Sequence, residues 1–426
     1  MTQKSSVVAM SIALLSIVPA FAQSSRGTVT GLVTDQTGAS VPGAQVELKN
    51  TDTNVLRTTT SNAAALYRFD AVDPGPYELR VSAAGFSVAR IDRIDVAAGQ
   101  VASVDVRLEV GSVKDVVNVA AEAVTLQVEA PVRGGTITQT AATLLPVATR
   151  NPVSLALTLP GVSSNRNGFG VSTFSVNGSR GRSNNFLIDG TENNDISVAG
   201  QAFTITNPDV VQEVNVQTSN FDSEYGRAGG AVVNVVTKSG TNDFHGTASY
   251  LLESTFTEAI SNLMGQDPDV QKRGHPLPGT EQIWAGTFGG RIVRDRTFFF
   301  VGFQNDRQAS SGSQTLTLPS PAGRAMLNAL FPKGSNKQAD LYNQATGGID
   351  ATSQFFPVAL GGGRPDIEFG TATESYPNIQ TDRQWTARVD HRIRERDLLM
   401  MRYSQQDTAV GTASVSFPGF NTTQTI

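Results

Sequence analysis

Residues able to carry chemistry are few in this chain, and their spacing does not bring them together. The 426 residues include three histidines, His245, His275 and His391, and no cysteine. None of the histidines has a second one three or four positions away, so neither a helical metal pair nor a shared catalytic base is expected, and each reads as a surface or interface residue. The lack of cysteine excludes thiol nucleophiles, Cys-ligated zinc and iron–sulfur sites, disulfide scaffolds and a lipid-bearing Cys. Gly178-Ser179-Arg180-Gly181 does not have the G-x-S-x-G spacing of a nucleophile elbow. Gly226-Arg227-Ala228-Gly229-Gly230 lacks the G-K-[ST] ending of a phosphate loop. Asp267, Asp269 and Gly274 do not form the ligand ladder of a calcium loop. The expectation is a chain with no catalytic site, no metal and no cofactor.

Charge points the same way. Lys and Arg number 33 against 38 Asp and Glu, a formal net charge of -5 spread along a chain that is 17% charged. Such a chain has no electrostatic footprint for nucleic acid. With 39% hydrophobic residues it can build sizeable cores, and its length suits two to four domains.

The elements that would hold any site begin with a targeting segment. After Lys4, residues 7–18 are almost wholly apolar, followed by Pro19 and small residues at Ala20 and Ala22. This reads as a secretory signal over residues 1–22, cleaved after Ala22. Nowhere else does the chain approach the roughly 18 to 20 consecutive apolar residues of a transmembrane helix. A place in a membrane would therefore have to be taken as a β-barrel.

Residues 23–110 show short β-patterned runs, 28–34, 44–49, 67–70, 77–82, 90–96 and 101–108, separated by turn residues such as Asp73-Pro74-Gly75-Pro76. In the last run Ala102, Val104, Val106 and Leu108 alternate against Val101, Ser103 and Asp105, so one face packs and the other meets water. A linker over 111–123 contains Asp115, Val116, Val117, Asn118 and Val119. An extended run left unpaired between two domains is a template for strand addition by a partner.

Residues 124–244 hold buried-strand patterns around Phe186-Leu187-Ile188, closed by Asp189-Gly190, around 214–216 and around 232–236. Gly226, Gly229 and Gly230 are read as corner glycines beside a barrel wall. Arg180, Arg182, Glu224, Arg227 and Lys238 suit a polar lumen. From 245 onward come five runs of alternating character, 245–252, 281–292, 297–307, 383–393 and 397–405. In the fourth, Trp385, Ala387, Val389 and Ile393 face opposite to Gln384, Thr386, Arg388, Asp390 and Arg392. In the third, Phe299, Val301 and Phe303 form one row, with Phe298 and Phe300 expected to mark an interfacial girdle. The connections alternate long, short, long and short, as in outer-membrane barrels; the longest is a 75-residue loop over 308–382.

These segments carry a resemblance. Gly31-Leu32-Val33-Thr34-Asp35, Val41-Pro42-Gly43-Ala44 and Pro74-Gly75-Pro76-Tyr77 resemble the carboxypeptidase-regulatory-like family, a transthyretin-like β-sandwich. Ala65 departs from it, standing where the family usually has Gly. Leu145-Pro146-Val147, Leu159-Pro160-Gly161-Val162, the stretch from Phe174 to Gly190 and the stretch from Ser223 to Gly240 resemble the plug of a TonB-dependent outer-membrane receptor of the Oar-like branch.

The resemblance implies a mostly β chain: a sandwich, a plug with a small mixed sheet, and over 245–426 the first strands, about five, of an incomplete antiparallel transmembrane barrel. It implies an outer-membrane location in a Gram-negative type envelope, contact with outer-membrane lipid, and a TonB-like periplasmic energy-transducing partner on Asp115–Val119. The cargo would be a bulky ligand such as a siderophore, cobalamin, an oligosaccharide or a peptide. Plug-containing transporter barrels have 22 strands of about 9 to 11 residues, or roughly 220 residues of strand. After Phe244 there remain 426 minus 244, or 182 residues, which is read as a chain truncated within its barrel. A cell-surface adhesin or structural outer-membrane protein is the other class this sequence allows.

Overall fold

The computed structural model describes residues 26–111, 116–118, 133–145, 150–166, 172–195, 197, 200–221, 225, 228–257, 259–260, 262, 264–266, 271, 274, 279–346, 349–394, 397–412 and 424–425. The proposed signal segment and His275 lie outside them. Two compact units are present. One holds the described residues of Met1–Thr247 with Thr287–Gly302 and Thr386–Ser404; the other holds those of Ala248–Gly286, Phe303–Trp385 and Gln405–Ile426.

The first unit opens with a two-sheet sandwich. Its strands are β1 (Gly27–Thr34), β2 (Gln45–Asn50), β3 (Leu56–Thr60), β4 (Leu66–Val72), β5 (Gly75–Ser82), β6 (Val88–Val96), β7 (Val101–Ser103), β8 (Val106–Arg107) and β9 (Val116–Asn118). One sheet runs β4-β1-β7 with β8 also on β1, and the other runs β3-β2-β5-β6-β9. Inward residues from both sheets form one core, among them Val29, Val46, Leu48, Phe69, Leu79 and Ile94. Tyr67 lies within it and donates its hydroxyl proton to Val104 O at 2.6 Å, which satisfies a polar atom that burial would otherwise penalise. The expected inward row Ala102, Val104, Val106, Leu108 is buried, although the run bends into two short strands.

Strand β3 is not legible in the sequence pattern: Leu56-Arg57-Thr58-Thr59-Thr60 lacks apolar alternation and is held by register pairing with β2. Ala65 adopts φ +61, a left-handed conformation that costs a non-glycine residue about 1–2 kcal/mol.

The plug follows within the same unit. Strands β10 (Arg133–Thr138), β11 (Val162–Arg166), β12 (Ser172–Val176), β13 (Asn185–Ile188), β14 (Thr191–Glu192), β15 (Val211–Ser219) and β16 (Val232–Thr237) flank the short helix α1 (Gln139–Leu144). Five of them form a sheet in the order β10-β15-β16-β13-β14. Its pairing is mixed, antiparallel between β15 and β16 and parallel between β13 and β16. Strands β13 and β16 are buried at every residue, so apolar residues stand at successive positions rather than alternating, interrupted only by the buried polar Asn185, Asn234 and Thr237. Asn151 caps the seven-residue 3₁₀ helix Pro152–Thr158 by accepting from Val153 N–H at 3.0 Å, and Val153, Leu155 and Ala156 of that segment enter the plug core.

The remaining strands are β17 (His245–Ser254), β18 (Thr280–Val293), β19 (Thr297–Pro319), β20 (Ser353–Val358), β21 (Ile367–Arg392), β22 (Leu398–Thr412) and β23 (Gln424–Thr425), ordered β17-β18-β19-β21-β22-β23 with β20 on β21. No closed barrel forms among the described strands. Two of these strands outrun expectation: β19 has 23 residues and β21 has 26, where about 9–11 suffice to cross a membrane. The 75-residue loop is thereby corrected, since 308–319 and 367–382 are strand. Leu316 and Leu318 of β19 and Ala372 of β21 pack with Ala351 in a small core of their own, but most of the remaining residues in these stretches are polar, so little in the sequence marks them as strand.

Trp385, Val389 and Ile393 are exposed while Gln384, Thr386 and Asp390 are buried, the alternation expected of a lipid-facing strand. The girdle is a correction. Phe298 and Phe300 are buried, and Phe300 joins the plug core. The aromatic cluster at this end of the strands is Phe244, Phe288 and Phe299, with Phe244 and Phe288 stacked at 6.0 Å. Among the described residues no helix is long and apolar enough to cross a membrane.

In the second unit, the segment between β19 and β21 carries helices α2 (Pro321–Leu330) and α3 (Lys337–Thr346). Ser320 caps α2 by accepting from Gly323 N–H at 2.9 Å. Arg324 of α2 pairs with Asp350 and donates to Asn343, Thr346 and Ile349 O. A compact element therefore stands where the sequence suggests only loop.

Candidate functional site

The most heavily determined polar site of the first unit is the turn that closes β13. Asp189 and Gly190 adopt φ +49 and +78, a tight turn of the hairpin type. The turn directs the Asp189 side chain toward the end of β16, where Oδ1 accepts from Thr237 N–H at 2.8 Å and Oδ2 from the Thr237 hydroxyl at 2.7 Å. Two further donors arrive from the barrel strands. Arg388 of β21 reaches Oδ1 at 3.3 Å and Arg402 of β22 reaches Oδ2 at 3.0 Å. The carboxylate side chain is only 2% exposed, and with four donors its acceptor capacity is filled.

Arg388 is itself tied down on three sides. Besides Asp189 it donates to Thr237 O at 2.6 Å, and its Nε and Nη2 fork onto Asp390 at 2.9 and 3.0 Å. Such bidentate pairing is the strong form of the interaction. The plug is thus fastened to the barrel strands by a buried network of two carboxylates and two guanidinium groups. Sequence parity placed Arg388 on the inward face and singled out Asp189, but gave no sign that they meet. Arg402 was missed; its place between outward Met401 and Tyr403 is the signal that could have found it.

The other expected plug residues are dispersed. Arg180 and Arg182 are exposed, with Arg182 donating to Ser197 O at 2.5 Å. Gly190 N–H donates to Asn234 Oδ1 at 3.1 Å. Tyr225 is buried against Leu187 and Val232. Gly229 and Gly230 both donate to Ser183 O, and a Cβ on Gly230 would lie 2.5 Å from Asn184 Oδ1. The close approach at Gly230 is therefore internal to the plug rather than to a barrel wall. Lys238 is half-buried, and desolvation lowers its pKa against the opposing pull of Asp209. Gly226, Glu224 and Arg227 lie outside the described residues.

Sandwich and plug also meet. Glu213 of β15 accepts from Ala98 N–H at 2.5 Å, Gln100 donates to Thr136 Oγ1 at 2.6 Å, and Gln212 donates to Pro74 O at 3.3 Å. Burial raises the Glu213 pKa, with the Ala98 bond opposing. A cleft of about 480 Å³ nearby is lined by Asp73, Tyr77, Arg296, Arg392 and the Asp189 network; Asp73 pairs there with Arg26 at 2.8 Å.

The candidate coupling strand requires a correction. Val116–Asn118 is not unpaired: it runs parallel to β6 with Val88, Ala89 and Arg90 opposite Val116, Val117 and Asn118. The sequence could not show this, because a β-branched run has the same pattern whether or not it finds a neighbour. Asp115 and Val119 lie outside the described residues. Among the described residues no three His, Cys, Asp or Glu are grouped to hold a metal. His245 contacts Asp243 O at 3.1 Å and His391 contacts Thr297 Oγ1 at 2.9 Å.

A sandwich, a plug with a mixed sheet and long alternating strands, joined through a buried ionic anchor, define the class of an outer-membrane receptor. Comparison with known proteins agrees. Residues 28–109 match the Carboxypeptidase regulatory-like domain, 134–233 the TonB-dependent Receptor Plug Domain and 236–426 the Outer membrane beta barrel domain. The chain is 30% identical over 300 residues to the TonB-dependent transporter Oar of Myxococcus xanthus, a match covering 67% of this chain and 27% of that protein. Two solved structures of the ferric enterobactin receptor of Pseudomonas aeruginosa align with TM-scores of 0.39 and 0.38 at 14% and 12% identity. They cover 66% and 65% of this chain and 33% of each receptor. The chain belongs to the TonB-dependent receptor family, and it spans about a quarter of the length of the curated relative it matches.

Proposed function

We propose that the protein to which this chain contributes is an active importer in the outer membrane. It would take up a bulky ligand, a siderophore, an oligosaccharide or a peptide, and draw energy from the inner membrane through a TonB-like periplasmic protein that engages Asp115–Val119. The outer membrane holds no nucleotide, so work on the plug has to arrive mechanically, by strand addition and pulling. We assign no catalytic step to it, and we take residues 1–22 as the secretory signal.

The observation that carries this reading is the Asp189 anchor. A plug fastened to barrel strands by ion pairs and hydrogen bonds can be released and refastened, because water and neighbouring polar groups can take over each bond as it breaks. An apolar seam has no such substitute.

The test is Val117→Pro in cells expressing the receptor, assayed with fluorescent ferric siderophores, oligosaccharides and peptides. Proline removes a ladder donor and resists strand pairing. Uptake should be abolished with surface display intact. Unchanged uptake would remove the coupling assignment, and binding of a probe at the surface without accumulation by the parent would favour an adhesin.

A further inference from the structure

The apolar cores of sandwich and plug are separate. The plug core takes in Phe300 of β19, whereas the sandwich core draws only on the sandwich itself. The bonds that join the sandwich to the rest of its unit are polar, and they fall at two seats. At the first, the turn after β6 lies on the plug sheet: Ala98 N–H donates to Glu213 Oε1 at 2.5 Å and Gln100 Nε2 to Thr136 Oγ1 at 2.6 Å, and a Cβ on Gly99 would lie 2.9 Å from Gln217 Nε2. At the second, the loop after β2 meets the ends of the barrel strands. Asn242 N–H, on the approach to β17, donates to Asp52 O at 3.0 Å, and Asn54 Nδ2 donates to Asp295 Oδ1, in the turn between β18 and β19, at 3.2 Å.

The plug face under the first seat has the composition of a face that meets water. Along β15, Val214 and Val216 enter the plug core, while Glu213, Asn215 and Gln217 alternate with them on the other side. One apolar and one polar face is the pattern of a sheet solvated on one side, yet all three polar residues are buried here. Gln217 Oε1 is left without a hydrogen-bond partner among the described residues. Water would satisfy that atom once the sandwich lifted, so covering it works against the seated state. The cleft of about 480 Å³, walled by Asn50, Asp73 and Tyr77 of the sandwich and by Gln212, Arg296 and Arg392, leaves the joint incompletely packed. A joint between domains that is neither large nor hydrophobic permits relative motion.

We propose that the sandwich is a releasable latch. Seated, it ties the plug sheet to the ends of the barrel strands, so that any shift of the plug against those strands breaks one seat or the other. It lifts as one folded body, opening both seats together while the sandwich and the plug each stay folded. This goes beyond the import reading and does not depend on the coupling segment.

Two backbone amides report on the seats separately, because Ala98 N–H donates to a plug side chain and Asn242 N–H to a sandwich carbonyl. The experiment is hydrogen exchange of the membrane-extracted receptor at single-amide resolution, with no ligand or partner present. Both amides should exchange through one shared opening, with protection factors equal within about threefold and at least about 100-fold below those of the paired strands β5 and β16, whose exchange requires the domains themselves to unfold. Gln100→Ala touches neither reporter's own bond and should speed both by about two- to tenfold, the range for one net hydrogen bond. Exchange of both amides only together with β5 and β16 would overturn the proposal in favour of a permanent joint. Unequal protection in the parent, or acceleration of Ala98 alone or of neither amide in Gln100→Ala, would overturn the single body in favour of independent contacts. These rates are read without transport, so the latch and the import reading fail separately.

Discussion

Asp189 meets two demands with one side chain. Its backbone lies in the left-handed region, which Asn, Asp and Gly enter most readily, and its carboxylate answers two arginines. Replacing Asp189 with Ala leaves those guanidinium groups buried without their partner, a change that costs about 3–5 kcal/mol in buried pairs; urea unfolding followed by proteolysis of the plug should show a loss of that order. Adding Arg402→Leu should recover part of it, because coupled sites are not additive. Glu213 makes a second prediction. Its folded pKa is raised by burial, so its contribution to the sandwich–plug contact is fully present below the ordinary carboxylate range. That contribution falls as pH rises through the raised value. Glu213→Gln keeps the acceptor for Ala98 N–H and removes the titration; once the intrinsic exchange rate at each pH is divided out, the loss of hydrogen-exchange protection at Ala98 between acidic and neutral pH should then disappear. Asp189 and the inward parity of Arg388 could be read from sequence. Their contact across 199 positions could not, because alternation tells which face a residue takes and nothing about what it meets there.

Elements were legible where burial is one-sided. The dyad rows of β21 and of residues 101–108 follow from a face that packs and a face that does not. Strand β3 was invisible for the converse reason: it is almost wholly polar and takes its order from backbone pairing with β2. The outer parts of β19 and β21 are mostly polar too, and the few apolar residues that pack there, Leu316, Leu318 and Ala372, are too sparse to announce a strand. Glycine patterns misled in a similar way. The corner at Gly229–Gly230 attracts notice, but a much closer approach to the barrel strands is at Gly240, where a Cβ would lie 2.3 Å from Phe299 O and 2.4 Å from Gly290 O. Both neighbours are backbone atoms and cannot rotate away. Gly240→Ala should therefore cost about 1–3 kcal/mol through overpacking, read as a lower melting temperature of the extracted receptor. Gly229→Ala, with its nearest atom at 3.7 Å, should change it far less.

At the scale of the molecule, the sandwich is self-contained: its core residues all come from residues 29–108. Residues 26–111 expressed alone should fold and melt cooperatively, with coincident circular dichroism and Tyr fluorescence transitions; a broad, non-coincident transition would show that the plug is needed to complete it. The domain order was legible because each domain has its own turn and strand grammar, whereas the joints between domains were not, being made by single polar residues far apart in sequence. Those joints also bear on how such a sequence can drift. Positions 189, 388 and 402 share one network, and no one of them can change its charge without stranding another. Over evolutionary time they should behave as a linked set, rarely altered singly and exchanged together when altered at all, so that two positions 213 residues apart are inherited as if they were neighbours.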